Sequence, residues 1–381
     1  MAQLFQHHLR QHKFLHPIVQ RINSEGLWQL LKKKIIGTPI DFNQSSFEFE
    51  ILSPQQHQFA PPAIFIYHHL SRITGTGPYS TLGSELSLLF TQHITHVPTL
   101  LYKINNVTIN RGGLWRNNRQ YWNRKVDKNS TLAPINMQAA TIIDQNYTSV
   151  FFGHWLMDFV PATLTANPHR PALALNKPQY FHNDSYEKLF GLDVTYANSG
   201  FIKELYFLSD LTQNAYKLSR YLALKDRLKK QLNPDDCQYA GVYIVRGTSG
   251  VKRILKNEQA LIHFLANKGF DIIDPVHMQA EDIVRRLWNA PMVISVEGSG
   301  ATHAICTAAK CAGYLFLMPP NRFLIILKGI LDALNNPFGF YVCKPAMLEP
   351  DSFYVDSMPD IERLIDLVKQ ESANRLSKSV H

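Results

Sequence analysis

The stretch APMVISVEGSGATHAICTAAKCAGYLFLMPP, residues 290–320, constrains the fold more than any other. Met292, Val293, Ile294 and Val296 make a short apolar run without the alternation of a half-exposed strand, so the run reads as a buried strand. Glu297-Gly298-Ser299-Gly300 follows as a tight turn. Residues 301–311, rich in small side chains and free of breakers, read as a closely packed helix. A second strand, 314–318, stops at Pro319-Pro320. The same rhythm precedes it: strand 241–246, helix 257–268 with Gly269 as its C-cap, strand 270–273 and helix 280–288. Such β-α-β alternation predicts a parallel sheet with helices on both faces, whose ligands sit beyond the carboxyl ends of the strands.

Several groups fall at those ends. Glycines let backbone approach a ligand, and the N–H groups and dipole of a helix start favour phosphate, so Gly298, Ser299, Gly300, Ala301 and Thr302 form a candidate anion seat. Arg246, Lys252 and Arg253 fall at a neighbouring strand end. Two or three cations facing such a seat suit a diphosphate; the alternative is a set of surface bases beside a turn that merely joins strand to helix.

The second constellation is NYTSVFFGHWLMDFVPATLT, residues 146–165. Residues 151–164 read as a mostly apolar helix, bent or reset at Pro161. His154 and Asp158 are four apart and share one face. Unpaired burial of either is costly, so they are a structural pair that orients the helix, or a general base and its orienter in a cleft. Spaced partners for a metal site are not evident.

At 381 residues, with 45% hydrophobic content, the chain suits two folded domains or one large one. We divide it at the breaker Asn233-Pro234-Asp235-Asp236, which ends a basic helix over 213–232. The expected units are 1–234, 235–350 and a closing amphipathic segment, 351–381, that returns to the first domain. Residues 1–36 mix bases with apolar residues at helical spacing, which suits either a membrane-surface element or packing on the first domain. Gly75-Thr76-Gly77-Pro78 lacks the lysine of a P-loop and reads as a plain loop.

The net charge of +9 is uneven: residues 1–130 hold 14 Lys/Arg against 6 Asp/Glu. Residues 103–128 interleave seven bases with Trp115, Tyr121 and Trp122, a pattern suited to nucleic acid, anionic membrane or an acidic substrate. Arg116 and Arg119 are its candidate anion contacts. A solvated basic face is the plain alternative. The four cysteines show no CxxC spacing, so neither a disulfide framework nor a zinc site is implied. No apolar run reaches about 18 residues, and the first residues are too polar for a secretory signal, so we expect a cytoplasmic location.

With these residues in hand, the chain resembles the family 61 glycosyltransferases. FFGHWLMDFVPATL at 151–164 resembles the family's His-Trp-x-x-Asp-x-x-Pro helix. YIVRGTSGVKRILKNEQALIHFLANKGFDIIDP at 243–275 resembles its strand, arginine loop, helix and strand. VISVEGSGATHAI at 293–305 resembles its glycine turn, and LYKINNVTINRGGLW at 101–115 resembles the strand pair opening its core. His303 departs from the usual Asn, and Lys252 stands where Arg or Ser is frequent.

The resemblance implies an α/β fold of GT-B type, two Rossmann-like domains facing a cleft, with acceptor on the first and nucleotide sugar on the second. It implies inversion at the anomeric carbon, with Asp158, or His154 supported by it, as base; of the two we favour Asp158. Arg246, Arg253 and Lys252 would grip the diphosphate, and Glu297 would bind a sugar hydroxyl or orient an arginine. No Asp-x-Asp occurs, so we expect no metal and no cofactor beyond a nucleoside diphosphate sugar as co-substrate. The acceptor would be an oligosaccharide, polysaccharide or lipid-linked glycan of capsule or lipopolysaccharide assembly, on the inner face of the cell membrane, with no nucleic acid partner. The competing expectations are a nucleic-acid-binding α/β protein using residues 103–128 and an inactive scaffold of transferase shape.

Overall fold

The computed structural model describes residues 47–378 except 79, 112, 118, 124–131, 145–150, 211, 248–249, 347–348 and 350. The basic segment 1–36 lies outside the described residues. The chain is α/β and builds two large sheets.

The first sheet is mixed. Its strands are β1 (Glu48–Ser53), β2 (Thr99–Asn110), β3 (Gly113–Arg116), β4 (Arg119–Asn123), β5 (Ile135–Ile142), β6 (Ala172–Ala174), β7 (Val194–Tyr196) and β8 (Ser199–Ser209). They lie in the order β7-β6-β5-β8-β2-β3-β4, with β1 also on β2. β7, β6, β5 and β8 run parallel, whereas β8-β2-β3-β4 and β1 pair antiparallel. Helix α1 (residues 152–163) and α2 (Asn183–Phe190) connect the parallel strands. Helix α3 (Ala215–Leu232) follows β8 and ends where the sequence breaker predicts, with Asn233 in the left-handed conformation at φ 42°.

The second sheet is fully parallel. Strands β9 (Gly241–Ile244), β10 (Phe270–Ile273), β11 (Met292–Val296), β12 (Gly313–Met318) and β13 (Phe338–Val342) take the order β10-β9-β11-β12-β13. This is the doubly wound order 2-1-3-4-5, with its switch point between β9 and β11. Every residue of β9, β11, β12 and β13 is buried, which explains their continuous apolar runs. Ile64–Phe65 adds a sixth strand beside β13, so the apolar run at 63–67 serves the second sheet although it lies early in the chain.

Helices α4 (Glu258–Asn267), α5 (Ala280–Leu287), α6 (Ile326–Ala333) and α7 (Met358–Lys378) complete the parallel half. Leu261 and Leu265 of α4 share a buried cluster with Ile361, Leu364 and Val368 of α7. The closing helix lies on the parallel sheet, against β12, β13 and the Ile64–Phe65 strand, the last contributed by the early part of the chain. Its apolar stripe covers one face of that sheet, which is why the strands beneath it are buried. Another cluster joins Trp155, Phe159 and Val160 of α1, Tyr186 and Phe190 of α2, Tyr221, Leu224 and Leu228 of α3, and Ile283, Val284 and Leu287 of α5. Helices from both halves thus share one core. Among the described residues, no helix is long and apolar enough to cross a membrane.

Candidate active site

Helix α1 is irregular where its chemistry lies. It begins as α over Phe152–His154, widens to π over Trp155–Phe159, and closes as α over Val160–Thr163. Pro161 has no N–H for the carbonyl four residues back, and its ring crowds that carbonyl. That group belongs to Met157, and the Tyr221 hydroxyl donates to it at 2.8 Å. The wide turn accommodates the proline, and π-turns of this kind recur at functional sites.

On that turn His154 Nδ1 lies 2.8 Å from Asp158 Oδ2. The other carboxylate oxygen, Oδ1, accepts from Lys217 Nζ at 2.9 Å. Lys217, only 2% exposed, also faces Asp210 at 3.5 Å, and Arg220 Nη2 pairs with the same Asp210 oxygen at 2.8 Å. Burial would raise the Asp158 carboxyl, but the Lys217 ammonium and the His154 hydrogen bond outweigh it and hold the group well below the usual carboxylate range. Burial likewise opposes the charge on Lys217, and Asp158 and Asp210 more than restore it. Sequence reading missed Lys217, Asp210 and Arg220. Their signal was faint: a lysine on the apolar stripe of α3, three residues after the Asn214 cap.

The second group sits at the switch point. Arg246 follows β9, Glu297 and Gly298 follow β11, and Arg322 follows β12 beyond Pro319-Pro320. Arg253 Nη1 donates to the Glu297 carbonyl and lies 3.2 Å from Glu297 Oε2; Arg322 Nε lies 3.9 Å from the same oxygen. Arg246 Nη2 donates to the Val251 carbonyl at 2.6 Å, closing its own loop. The Nε atoms of Arg246, Arg253 and Arg322 are all buried without a hydrogen-bond partner among the described residues. Burial lowers the Arg253 guanidinium to about 10, with Arg322 and Arg246 adding to the fall against Glu297. Burial also raises the Glu297 carboxyl, against the pull of Arg253, Arg322 and Arg246. Three cations therefore crowd around one acid in a desolvated place.

Arg322 was not legible in sequence. Gly75 holds its loop: Thr74 and Gly75 donate to the Pro320 carbonyl, Phe323 donates back to Gly75, and a methyl at Gly75 would stand 2.7 Å from the Asn321 carbonyl oxygen. The 75–78 loop is thus the plain loop expected, with a bracing role.

Gly298 adopts φ 147°, a region closed to side chains, and a Cβ there would sit 2.2 Å from Arg253 Nη1. The expected helix over 301–311 does not form. A six-residue 3-10 turn, Ser299–Ala304, takes its place, with Thr302 Oγ1 donating to the Ser299 carbonyl at 2.6 Å. Asn289 N–H takes the Thr307 carbonyl and Ala309 N–H donates to Ala290, so tertiary bonds consume the groups a longer helix needs. The helix dipole invoked for phosphate is correspondingly short. Ser299 and Gly300 are half-buried, whereas Ala301 and Thr302 are buried.

Gly153 joins the two groups. A methyl at Gly153 would lie 3.2 Å from Ser299 Oγ and 3.3 Å from Thr302 Cγ2. The residue before His154 thus touches the residue after Gly298, on which Arg253 lies. Behind this junction His303 is core: its Nδ1 is 2.6 Å from the Tyr186 hydroxyl and its ring stands 4.8 Å from Phe152. Burial, with His182 nearby, lowers it to about 3.

Other candidates stand apart. Lys252 is exposed. Arg116 lies on β3, over the Phe47 ring, three strands from β5. Arg119 opens edge strand β4, and its side chain, like residues 124–131 of the basic stretch, lies outside the described residues. Among the described residues no group of three or more His, Cys, Asp or Glu is placed to hold a metal ion.

Residues 152–321 match the family model described as Glycosyltransferase 61. No curated protein matches the chain. The matched span opens at the head of α1 and closes one residue before Arg322, so it takes in the His154–Asp158 pair and the strand ends that carry Arg246, Arg253 and Glu297. Over these residues the chain is similar to the glycosyltransferase 61 family, and it is a glycosyltransferase, passing sugar from a donor to a glycan acceptor.

Proposed function

We propose an inverting transfer from a nucleoside diphosphate sugar, with the site divided between the two sheets in the manner of a GT-B enzyme. Arg246, Arg253 and Arg322 receive the diphosphate beyond the carboxyl ends of β9, β11 and β12. The guanidinium groups, crowded and short of hydrogen-bond acceptors, supply the positive charge that stabilises the departing phosphate. His154, rather than Asp158, is the base. Both Asp158 oxygens are engaged and its carboxyl is held far below neutrality, a poor match for taking a proton at pH 7. With Nδ1 turned to Asp158, Nε2 is the proton-accepting nitrogen. As the acceptor oxygen bonds to the anomeric carbon, its proton passes to Nε2. The bond to the diphosphate breaks, and its electron pair leaves on the phosphate oxygen.

The observation that supports this reading is the close packing of Gly153 on Ser299 and Thr302, which brings the helix of His154 against the turn that follows Glu297. The basic surplus of residues 1–130 supports an acidic or lipid-linked acceptor, as in capsule or lipopolysaccharide assembly at the inner membrane face. The test is thermal stabilisation by UDP, GDP, ADP and CDP against their nucleosides. One diphosphate should stabilise the protein, its nucleoside should not, and Arg246→Ala should abolish the difference. Stabilisation by DNA or RNA alone would favour the nucleic-acid reading of residues 103–128.

A further inference from the structure

Lys217 has no part in the chemistry above, yet it is a charged side chain buried against the reacting pair. Burying two ion pairs costs desolvation that apolar residues would avoid, so the arrangement calls for a reason other than stability. We propose that Lys217 is a positioning residue for the transfer: its ammonium group fixes the Asp158 carboxylate and offsets its charge, and the fixed carboxylate orients the His154 ring. The inference rests on His154 being the base.

The groups facing the pair support this. From α3 come Lys217, Arg220 and the Tyr221 hydroxyl, the last spent on Met157. Asp210, after β8, holds Lys217 and Arg220 and accepts from Thr99 Oγ1 at 3.3 Å. From the Ser299–Ala304 turn, Ser299 and Thr302 pack on Gly153, and His303, neutral through burial, turns to Tyr186. His182 lies beyond Phe152 and donates to the Met278 carbonyl. Asp158 and Asp210 thus balance Lys217 and Arg220, and the set is neutral while His154 is neutral. Removing the Lys217 charge leaves one negative charge that an imidazolium would compensate. A carboxylate alone would orient the imidazole equally well but would favour its protonated form.

The test is a histidine-ring NMR titration of the full chain, with the His154 resonance identified by its loss in His154→Gln. Lys217→Gln keeps a donor to Asp158 and deletes the charge; Lys217→Arg keeps the charge. The His154 midpoint should rise by about one to two pH units in Lys217→Gln. In Lys217→Arg it should stay near that of the parent protein. An unmoved midpoint in Lys217→Gln, or an equal rise in Lys217→Arg, overturns the proposal. Should Lys217→Gln fail to fold by circular dichroism, Asp210→Asn carries the opposite sign. Lys217 is then less neutralised and the midpoint falls; a fixed or rising midpoint overturns the idea. The parent reading is checked separately, by sugar release from UDP-, GDP-, ADP- and CDP-linked sugars. Undiminished release by His154→Gln removes His154 as base whatever its titration shows.

Discussion

The two charged groups of this protein are built on opposite plans. Among the described residues around Asp158, each charge in the Lys217–Asp210–Arg220 network faces an opposite one, and cations and anions balance. Around Glu297 two guanidinium groups, those of Arg253 and Arg322, share one carboxylate, the charge of a third, Arg246, also acts on it, and the three Nε atoms lack acceptors among the described residues. A balanced network is complete in itself and holds a neighbour in place. An unbalanced one is complete only with a ligand that brings negative charge and oxygen acceptors. Charge balance, more than burial or residue type, separates the part that orients from the part that binds.

The comparison can be broken most forcefully at Asp210. Asp210→Ala leaves Lys217 and Arg220 with a lost counter-charge, and we expect it to cost about 3–5 kcal/mol in urea unfolding. A loss below about 1 kcal/mol would mean that the network does not stabilise the fold as a unit. The arginine group should respond in the reverse sense. Arg322→Ala relieves like-charge crowding, so the free protein should keep its stability within about 1 kcal/mol. Affinity for the stabilising nucleoside diphosphate should nevertheless fall roughly 100-fold, or about 2.7 kcal/mol, by calorimetry. Equal damage to free stability and to binding would make the two groups alike.

Gly298→Ala tests the turn on which Arg253 rests. Its φ of 147° and the nearby guanidinium predict a loss of about 1–3 kcal/mol together with weaker diphosphate binding. Normal binding at normal stability would show that the turn relaxes without consequence. The smallest effect concerns acid. His303 is lowered to about 3, below the ordinary histidine value, so the folded state prefers it neutral. Its contribution is complete above about pH 6.5 and declines as pH falls toward its folded value, at up to about 1.4 kcal/mol per pH unit. His303→Asn should flatten the decline of melting temperature over that window. His69, lowered to about 4 chiefly by burial, keeps part of the slope. An unchanged slope would place the acid sensitivity elsewhere.

Much of the parallel half was legible because its rules are local. Apolar runs, Gly269 and the Asn233 break correspond to strands, caps and a helix end. His154 and Asp158 were visible because four residues make one helical turn. The 301–311 helix was misread because small residues permit a helix but do not require one, and Asn289 and Ala290 claimed its backbone. Arg322, Lys217 and Asp210 were invisible as site residues, since nothing near them in the chain names their partners.

From its residues alone this chain determines an α/β alternation, a glycine at the end of β11 and a histidine–carboxylate pair on one helix. Each depends on steric and hydrogen-bonding preferences that act over a few residues. The tertiary structure alone decides that Gly153 meets Ser299, that Arg322 joins Arg246 and Arg253, and that Lys217 stands behind Asp158. Electrostatic balance is a property of charges brought together from distant positions, and only packing determines which charges those are.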